Sequence, residues 1–366
     1  MKKQSPIMQN ISSPSGEMPR AEDASHILVI RLSAMGDVAM TVPVLRVLTA
    51  SYPNLRITVL TRGFFEPMFK GIPGVSVYKA DIKGVHSGVI GLGRLAKELR
   101  DTGIDKVADL HNVLRSNVLK SVFYMFGIPV KQIDKGRNEK KALTRENNKI
   151  FKQLKPTVQR YADVFEALGY PLDLSKHQFP KKEKLSEKIR ELVGTEPKKW
   201  LGIAPFAQHN SKAYPADLME EVLEGLSENP KIKVLLFGGG EEETKQLEHW
   251  SKKFKTTISI AGKLTLAEEL ALIANLDAML SMDSGNGHMA AMFGIPVITI
   301  WGVTHPYAGF APFNQPESNS LLPDLTQYPK IPTSVYGNKY PEAYKNAIRS
   351  ISPESVLPAA KSTSCC

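Results

Sequence analysis

The sequence predicts an α/β protein of two doubly wound parallel-sheet units facing each other across a cleft. Three observations predict it. Short apolar runs alternate with helix-period segments, the order that gives parallel strands and crossover helices. The alternation lapses between about 131 and 183 and then restarts. The 366 residues suffice for two ordinary domains.

A polar lead-in, residues 1–25, is expected to stand apart from the fold. The first unit covers 26–175. HILVIRL (26–32) reads as a buried strand, and RITVLTR (56–62), VSVYKAD (75–81) and DKVADLH (105–111) follow as three more. Helix periodicity fills 37–51 and 90–102. From Lys131 to Arg160 the chain turns basic and loses its strand signal, before a helix at 158–169 and a Pro- and Lys-containing linker over 170–183. The second unit covers 176–337, with strands at 200–206, 231–238, 256–262, 276–283 and 295–302. Helical segments at 215–228, 241–253, 265–275 and 287–293 alternate with them. Residues 338–366 close the chain, with a helix expected around 340–351 that returns to the body.

Composition narrows the function classes. Hydrophobic content of 42% with 23% charged residues fits a globular protein with real cores. No apolar run reaches the length of a membrane span, and the lysine-bearing N-terminus lacks the apolar stretch of a secretory signal. The only cysteines, Cys365 and Cys366, are adjacent at the C-terminus. A disulfide framework and a zinc mechanism are therefore not expected, and a cytoplasmic location is. A formal net charge of +10 predicts an anionic partner: nucleic acid, a membrane surface or a phosphorylated substrate.

Open α/β sheets bind ligands at the carboxyl ends of their strands. Five motifs fall there. In SAMGD, after the first strand, Gly36 permits a tight turn beside Ser33 and Met35. Asp37 then reads either as a helix cap or as a general base. GIAPFAQHNSKAYP puts Lys212 in a polar strand-to-helix turn suited to an anion, or to a solvated loop. SMDSGNGHMAAMFGIP puts Asp283 at a strand end. The turn Ser284-Gly285-Asn286-Gly287 follows, then His288 on a small-residue helix, an arrangement that suits a diphosphate. LLFGGGEEE brings Gly238 and Gly239 before a helix whose acids are equally good as first-turn stabilisers. DLHNVLRS offers His111, Asn112 and Arg115 to a polar acceptor, or only braces its loop. Within the basic stretch, Arg145 and its neighbours lack the interleaved aromatics of a nucleic-acid site.

ILVIRLSAMGDVAMTVPVLRVL resembles the opening of the ADP-heptose:lipopolysaccharide heptosyltransferases, glycosyltransferase family nine. MDSGNGHMAAMFGIPVITIWGVTHP resembles that family's donor-site signature, HNSKAYP its lysine loop, and DLHNVLRS the loop after its fourth strand. The resemblance runs through both units, roughly 26–310, though Ala213-Tyr214 stand where the family carries a tryptophan before the proline. It implies two Rossmann-like domains in the glycosyltransferase-B arrangement. The first would bind the acceptor and the second a nucleotide-sugar, and transfer would invert the anomeric carbon without a metal or other cofactor. Asp37 would be the base, and Lys212 would meet the developing leaving-group charge. Asp283, Ser284, Gly285, Asn286, Gly287, His288, Gly238, Gly239 and Thr304 would surround the donor. Ser33, Met35, Gly36, His111, Asn112, Arg115 and Arg145 would meet an anionic, lipid-linked lipopolysaccharide-core acceptor. The enzyme would work peripherally on the inner face of the inner membrane, with no specific nucleic acid as partner. Two other readings stand beside it: a nucleotide-sugar epimerase of similar plan, and a non-catalytic binder of anionic glycan or nucleic acid.

Overall fold

The computed structural model describes residues 25–363, so most of the N-terminal lead-in and both cysteines lie outside the described residues. The first sheet holds β1 (His26–Ile30), β2 (Arg56–Thr61), β3 (Val75–Lys79), β4 (Lys106–Asp109) and β5 (Val130–Gln132), all parallel, in the order β3-β2-β1-β4-β5. Its helices are α1 (Met35–Ala39), α2 (Thr41–Ser51), α3 (Gly88–Arg100), α4 (Leu114–Met125), α5 (Arg137–Thr144) and α6 (Thr157–Glu166). The second unit begins with α7 (Glu187–Val193). Its strands are β6 (Lys199–Ala204), β7 (Ile232–Leu236), β8 (Thr257–Ser259), β9 (Ala278–Met282), β10 (Val297–Ile300) and β11 (Ser320–Leu321), parallel in the order β11-β10-β9-β6-β7-β8. Between and after them lie α8 (Ala216–Ser227), α9 (Glu241–Lys253), α10 (Leu266–Ile273), α11 (Gly285–Ala291) and α12 (Pro353–Thr363).

The uninterrupted apolar strands are explained by burial on both faces. On β1, Ile27 and Val29 enter one core while Leu28 and Ile30 enter the opposite one. This is the two-residue period of a strand covered by helices on either side. The core holding Ile27 and Val29 continues without a break into the second unit, through Leu266, Leu270, Met289 and Ala290. The two sheets are therefore joined by apolar packing as well as by chain.

Two sequence expectations are corrected. The basic stretch holds a strand after all: β5 is only three residues long, too short for a periodic signal. It is followed by α5, whose buried face carries Lys140 beside Leu143. The closing helix is not at 340–351, where two short 3-10 turns lie instead. It begins at Pro353, whose fixed φ suits a first helical position. There α12 packs on α8, with Val356 and Ala360 buried and Leu357 lying where a side chain on Gly225 would stand.

Candidate active site

The carboxyl ends of both sheets open onto one cavity of about 360 Å³. Its floor is the junction of α1 and α11, made by two glycines that interlock. A Cβ on Gly36 would lie 2.7 Å from Cδ2 of His288, and one on Gly285 would lie 3.2 Å from Sδ of Met35. Gly36 thus serves helix contact, and Met35 packs on Gly285 rather than lining the cavity.

Asp37 is both a cap and an ion-pair partner. Its Oδ2 accepts the Ala34 N–H at 3.3 Å and lies 2.6 Å from the Arg31 guanidinium. Oδ1 takes no hydrogen bond among the described residues, and the side chain is 28% exposed at the cavity. Arg31 is itself clamped, its Nη1 donating to the Leu110 carbonyl at 2.6 Å. The hydroxyl of fully buried Tyr161 donates to the Asp37 carbonyl at 3.3 Å, and burial pushes that phenol's pKa up, so it stays a neutral donor. The carboxylate is held by Arg31 and the Ala34 N–H, and its backbone by Tyr161, with Oδ1 open.

Around it the first unit gathers cations: Arg31, Lys135, Lys140 and Arg160 all line the cavity. Burial, then the neighbouring Arg160, lowers Lys140 to about 8, and its Nζ sits 4.0 Å from the Phe310 ring centroid. Burial also lowers Lys135, with Arg31 adding to the effect. His111 is pushed down to about 4, first by burial and then by Arg31 and Lys135, and is neutral at pH 7.

The second unit contributes the opposite arrangement. Lys212, in the turn after β6, donates to the Asp283 carbonyl at 2.7 Å and lies 3.2 Å from its Oδ2. The Thr304 hydroxyl donates to the same oxygen at 2.9 Å. An ammonium has three N–H bonds, so Lys212 keeps one for the cavity. The neighbouring Ser211 hydroxyl donates to the Gly337 carbonyl at 2.5 Å, which brings Tyr336 to the cavity wall.

Five buried polar atoms on this lining have no partner among the described residues: Arg31 Nε, His111 Nδ1, Thr157 Oγ1, Ser284 Oγ and His288 Nδ1. Buried polar groups are almost always hydrogen-bonded, so their convergence on one cavity marks a site built for a polar ligand. A fixed carboxylate, a ring of cations and a lysine across from them suit group transfer between two polar substrates.

The family model of glycosyltransferase family 9 (heptosyltransferase) matches residues 92–338. The chain belongs to glycosyltransferase family 9. It is a glycosyltransferase, and relatives of known type bracket it. It is 30% identical over 307 residues to lipooligosaccharide heptosyltransferase 2 of Haemophilus influenzae, covering 77% of this chain and 84% of that protein. It is 24% identical over 357 residues to lipopolysaccharide heptosyltransferase 2 of Escherichia coli, covering 90% and 96%. The crystal structure of the family 9 glycosyltransferase of Veillonella parvula superposes with a TM-score of 0.70 at 20% identity, covering 94% of this chain and 98% of that one. ADP-heptose lipopolysaccharide heptosyltransferase II of E. coli superposes with a TM-score of 0.65 at 19% identity, covering 93% and 98%. The two-sheet fold is the glycosyltransferase-B arrangement.

In this glycosyltransferase Ser33, Gly36, Asp37, His111, Lys212, Asp283, Ser284, Gly285 and His288 meet at the cavity. The other sequence candidates do not line it. Gly287 faces the Ser281 hydroxyl, inside the second unit. Gly238 packs under Leu247, and the Gly239 N–H donates to the Glu243 carboxylate at 2.9 Å, so the glycine run is a helix start. Asn112 ties its loop to the Ile133 carbonyl at 3.0 Å, from a backbone φ of 46°. The same loop is braced by buried Asp109, which accepts the His111 and Asn112 N–H groups at 2.9 Å each. Arg115 is exposed at the start of α4, and exposed Arg145 donates to the Asn148 carbonyl. Asn286 lies in α11 beyond the lining, and Thr304 acts through Asp283. Lys135, Lys140 and Arg160 of the basic stretch line the cavity, as expected of cations that meet an anionic acceptor, whereas sequence reasoning missed Arg31, Thr157, Phe310 and Tyr336. Lys140 had a usable signal: with Leu143 it shares the face of α5 that turns inward.

Proposed function

We propose that the enzyme transfers heptose or a related sugar from an ADP-sugar to a lipopolysaccharide-core acceptor, by one inverting displacement without a metal. The observation that carries this reading is Asp37 with one open oxygen, clamped by Arg31, across the cavity from Lys212 on Asp283. The names of the relatives supply the substrate classes.

The acceptor hydroxyl attacks the anomeric carbon while Asp37 Oδ1 takes its proton. Arg31 holds the carboxylate in place, so no reorientation is needed at the transition state. The sugar passes through an oxocarbenium-like state, as in inverting glycosidases. The nucleoside diphosphate leaves without protonation, and the remaining Lys212 N–H meets the charge it gains. Ser284, His288 and the start of α11 face the donor. Lys135, Lys140 and Arg160 face the anionic acceptor, which is held in a membrane at its lipid end.

The test is ADP release from ADP-heptose with and without a delipidated core acceptor, with the product linkage read by NMR. The reading expects acceptor-dependent ADP release and inversion at the anomeric carbon. Retention would contradict it. So would conversion of the donor sugar without acceptor, which is epimerase behaviour.

A further inference from the structure

The layer that α3 and α4 form over one face of the first sheet carries unusual apolar exposure. Val85, Val89, Ile90 and Leu114 are 58%, 71%, 85% and 81% exposed, and Tyr124, Met125 and Phe126 are exposed at the far end of α4. Among the described residues, none of the helices around the second sheet shows an exposed large apolar side chain. Topology puts the first four at one end of the layer. α3 follows the carboxyl side of β3 and α4 that of β4, so both helices start at the cleft end of a parallel sheet. Leu114 stands three residues after His111, which lines the cavity.

Exposed cations outnumber the unpaired acids around this end. Lys83, Arg94 and Arg115 are exposed and make no ion pair among the described residues. The acids nearby are engaged locally: Asp81 accepts the Gly84 and Val85 N–H groups at 2.8 and 3.2 Å, and Glu98 is held by Tyr78 and His86. Aliphatic side chains rimmed by free cations are the pattern of a protein lying in a membrane interface. A second copy fits poorly, because a two-fold contact would set the cations against themselves. Nucleic acid would ask for aromatics among these cations, and the exposed aromatics of α4, Tyr124 and Phe126, stand at its far end.

We propose that this end of the α3–α4 layer docks on an anionic bilayer. Val85, Val89, Ile90 and Leu114 enter among the headgroups, and Lys83, Arg94 and Arg115 meet their phosphates. The docking sets the acceptor half of the cleft against the membrane, and it rests on the reading that the acceptor is lipid-held.

Co-sedimentation of the full chain with vesicles of phosphatidylglycerol in phosphatidylethanolamine, and with phosphatidylcholine vesicles, tests this. The parent should bind the anionic vesicles and bind phosphatidylcholine about tenfold less, with binding weakened by salt. Ile90→Glu with Leu114→Glu should lose binding by at least about tenfold, while keeping the parent's thermal midpoint and its rate on a delipidated acceptor. Lys83→Gln with Arg94→Gln should flatten the salt dependence. A parent that ignores anionic vesicles, or a Glu double variant that binds like the parent, would overturn the proposal. So would a parent dimer in sedimentation velocity that the double variant splits, since the patch would then belong to a second copy. Failure of the parent to glycosylate the delipidated acceptor would strike the acceptor reading alone and leave the vesicle result standing.

Discussion

The two halves of the cleft differ in charge, the first strongly cationic and the second balanced. The half built on the first sheet has one carboxylate, Asp37, among Arg31, Lys135, Lys140 and Arg160. The half built on the second sheet has one lysine, Lys212, tied to Asp283. Similar folds therefore carry different chemistry because the strand-end residues differ, not the sheets. The first half can take a proton and hold an anionic substrate. The second can absorb charge on a departing group.

Replacing the single carboxylate tests that division most severely. Asp37→Asn should lower turnover by about 10²–10⁴-fold, the range of a lost general base, measured as ADP release under saturating substrates. The Asn can still cap α1, so an unchanged thermal midpoint would separate catalysis from folding. On the other side, Lys212→Met should cost about 10²–10³-fold in turnover, as for one lost donor to developing charge. Equal turnover in parent and variant would erase the role assigned to the second half.

Lys140 sharpens the comparison through pH. Its pKa of about 8 means it is charged below that pH and loses its charge as pH rises through it. The acceptor KM should therefore climb above pH 8 while donor affinity holds. Lys140→Met should raise the acceptor KM about tenfold, the value of one charged hydrogen bond, and abolish that pH limb. A limb that persists in the variant belongs to another group.

The smallest effect concerns the seam between the halves. Gly36→Ala drives a Cβ to 2.7 Å from the His288 ring, while Gly285→Ala meets the Met35 side chain no closer than 3.2 Å. The first should cost about 1–3 kcal/mol of stability as overpacking, and the second clearly less, by denaturant unfolding. Reversal of that order would mean that the seam opens in solution.

Much of the fold was legible because parallel strands buried on both faces leave continuous apolar runs, as in HILVI and AMLSM. β5 was not, since three residues carry no period. Nor was the start of α12, where Pro353 decides more than periodicity does. At the site, the motif residues Asp37, Lys212, Asp283 and His288 do converge. What sequence could not convey is distance across the chain. Arg160 reaches the cavity from α6, and Phe310 and Tyr336 come from loops of the second unit. The glycines of LLFGGGEEE looked like a ligand loop but cap α9 through Glu243. Only side-chain packing separates the two uses of a glycine-rich turn.

The most direct measurement is the dissociation constant for the ADP-sugar donor, by calorimetry, on Asp37→Asn and Lys212→Met side by side. The division of labour predicts that Asp37→Asn, though inactive, binds donor within about twofold of the parent, while Lys212→Met binds it clearly more weakly. Donor binding lost in Asp37→Asn and kept in Lys212→Met would contradict it.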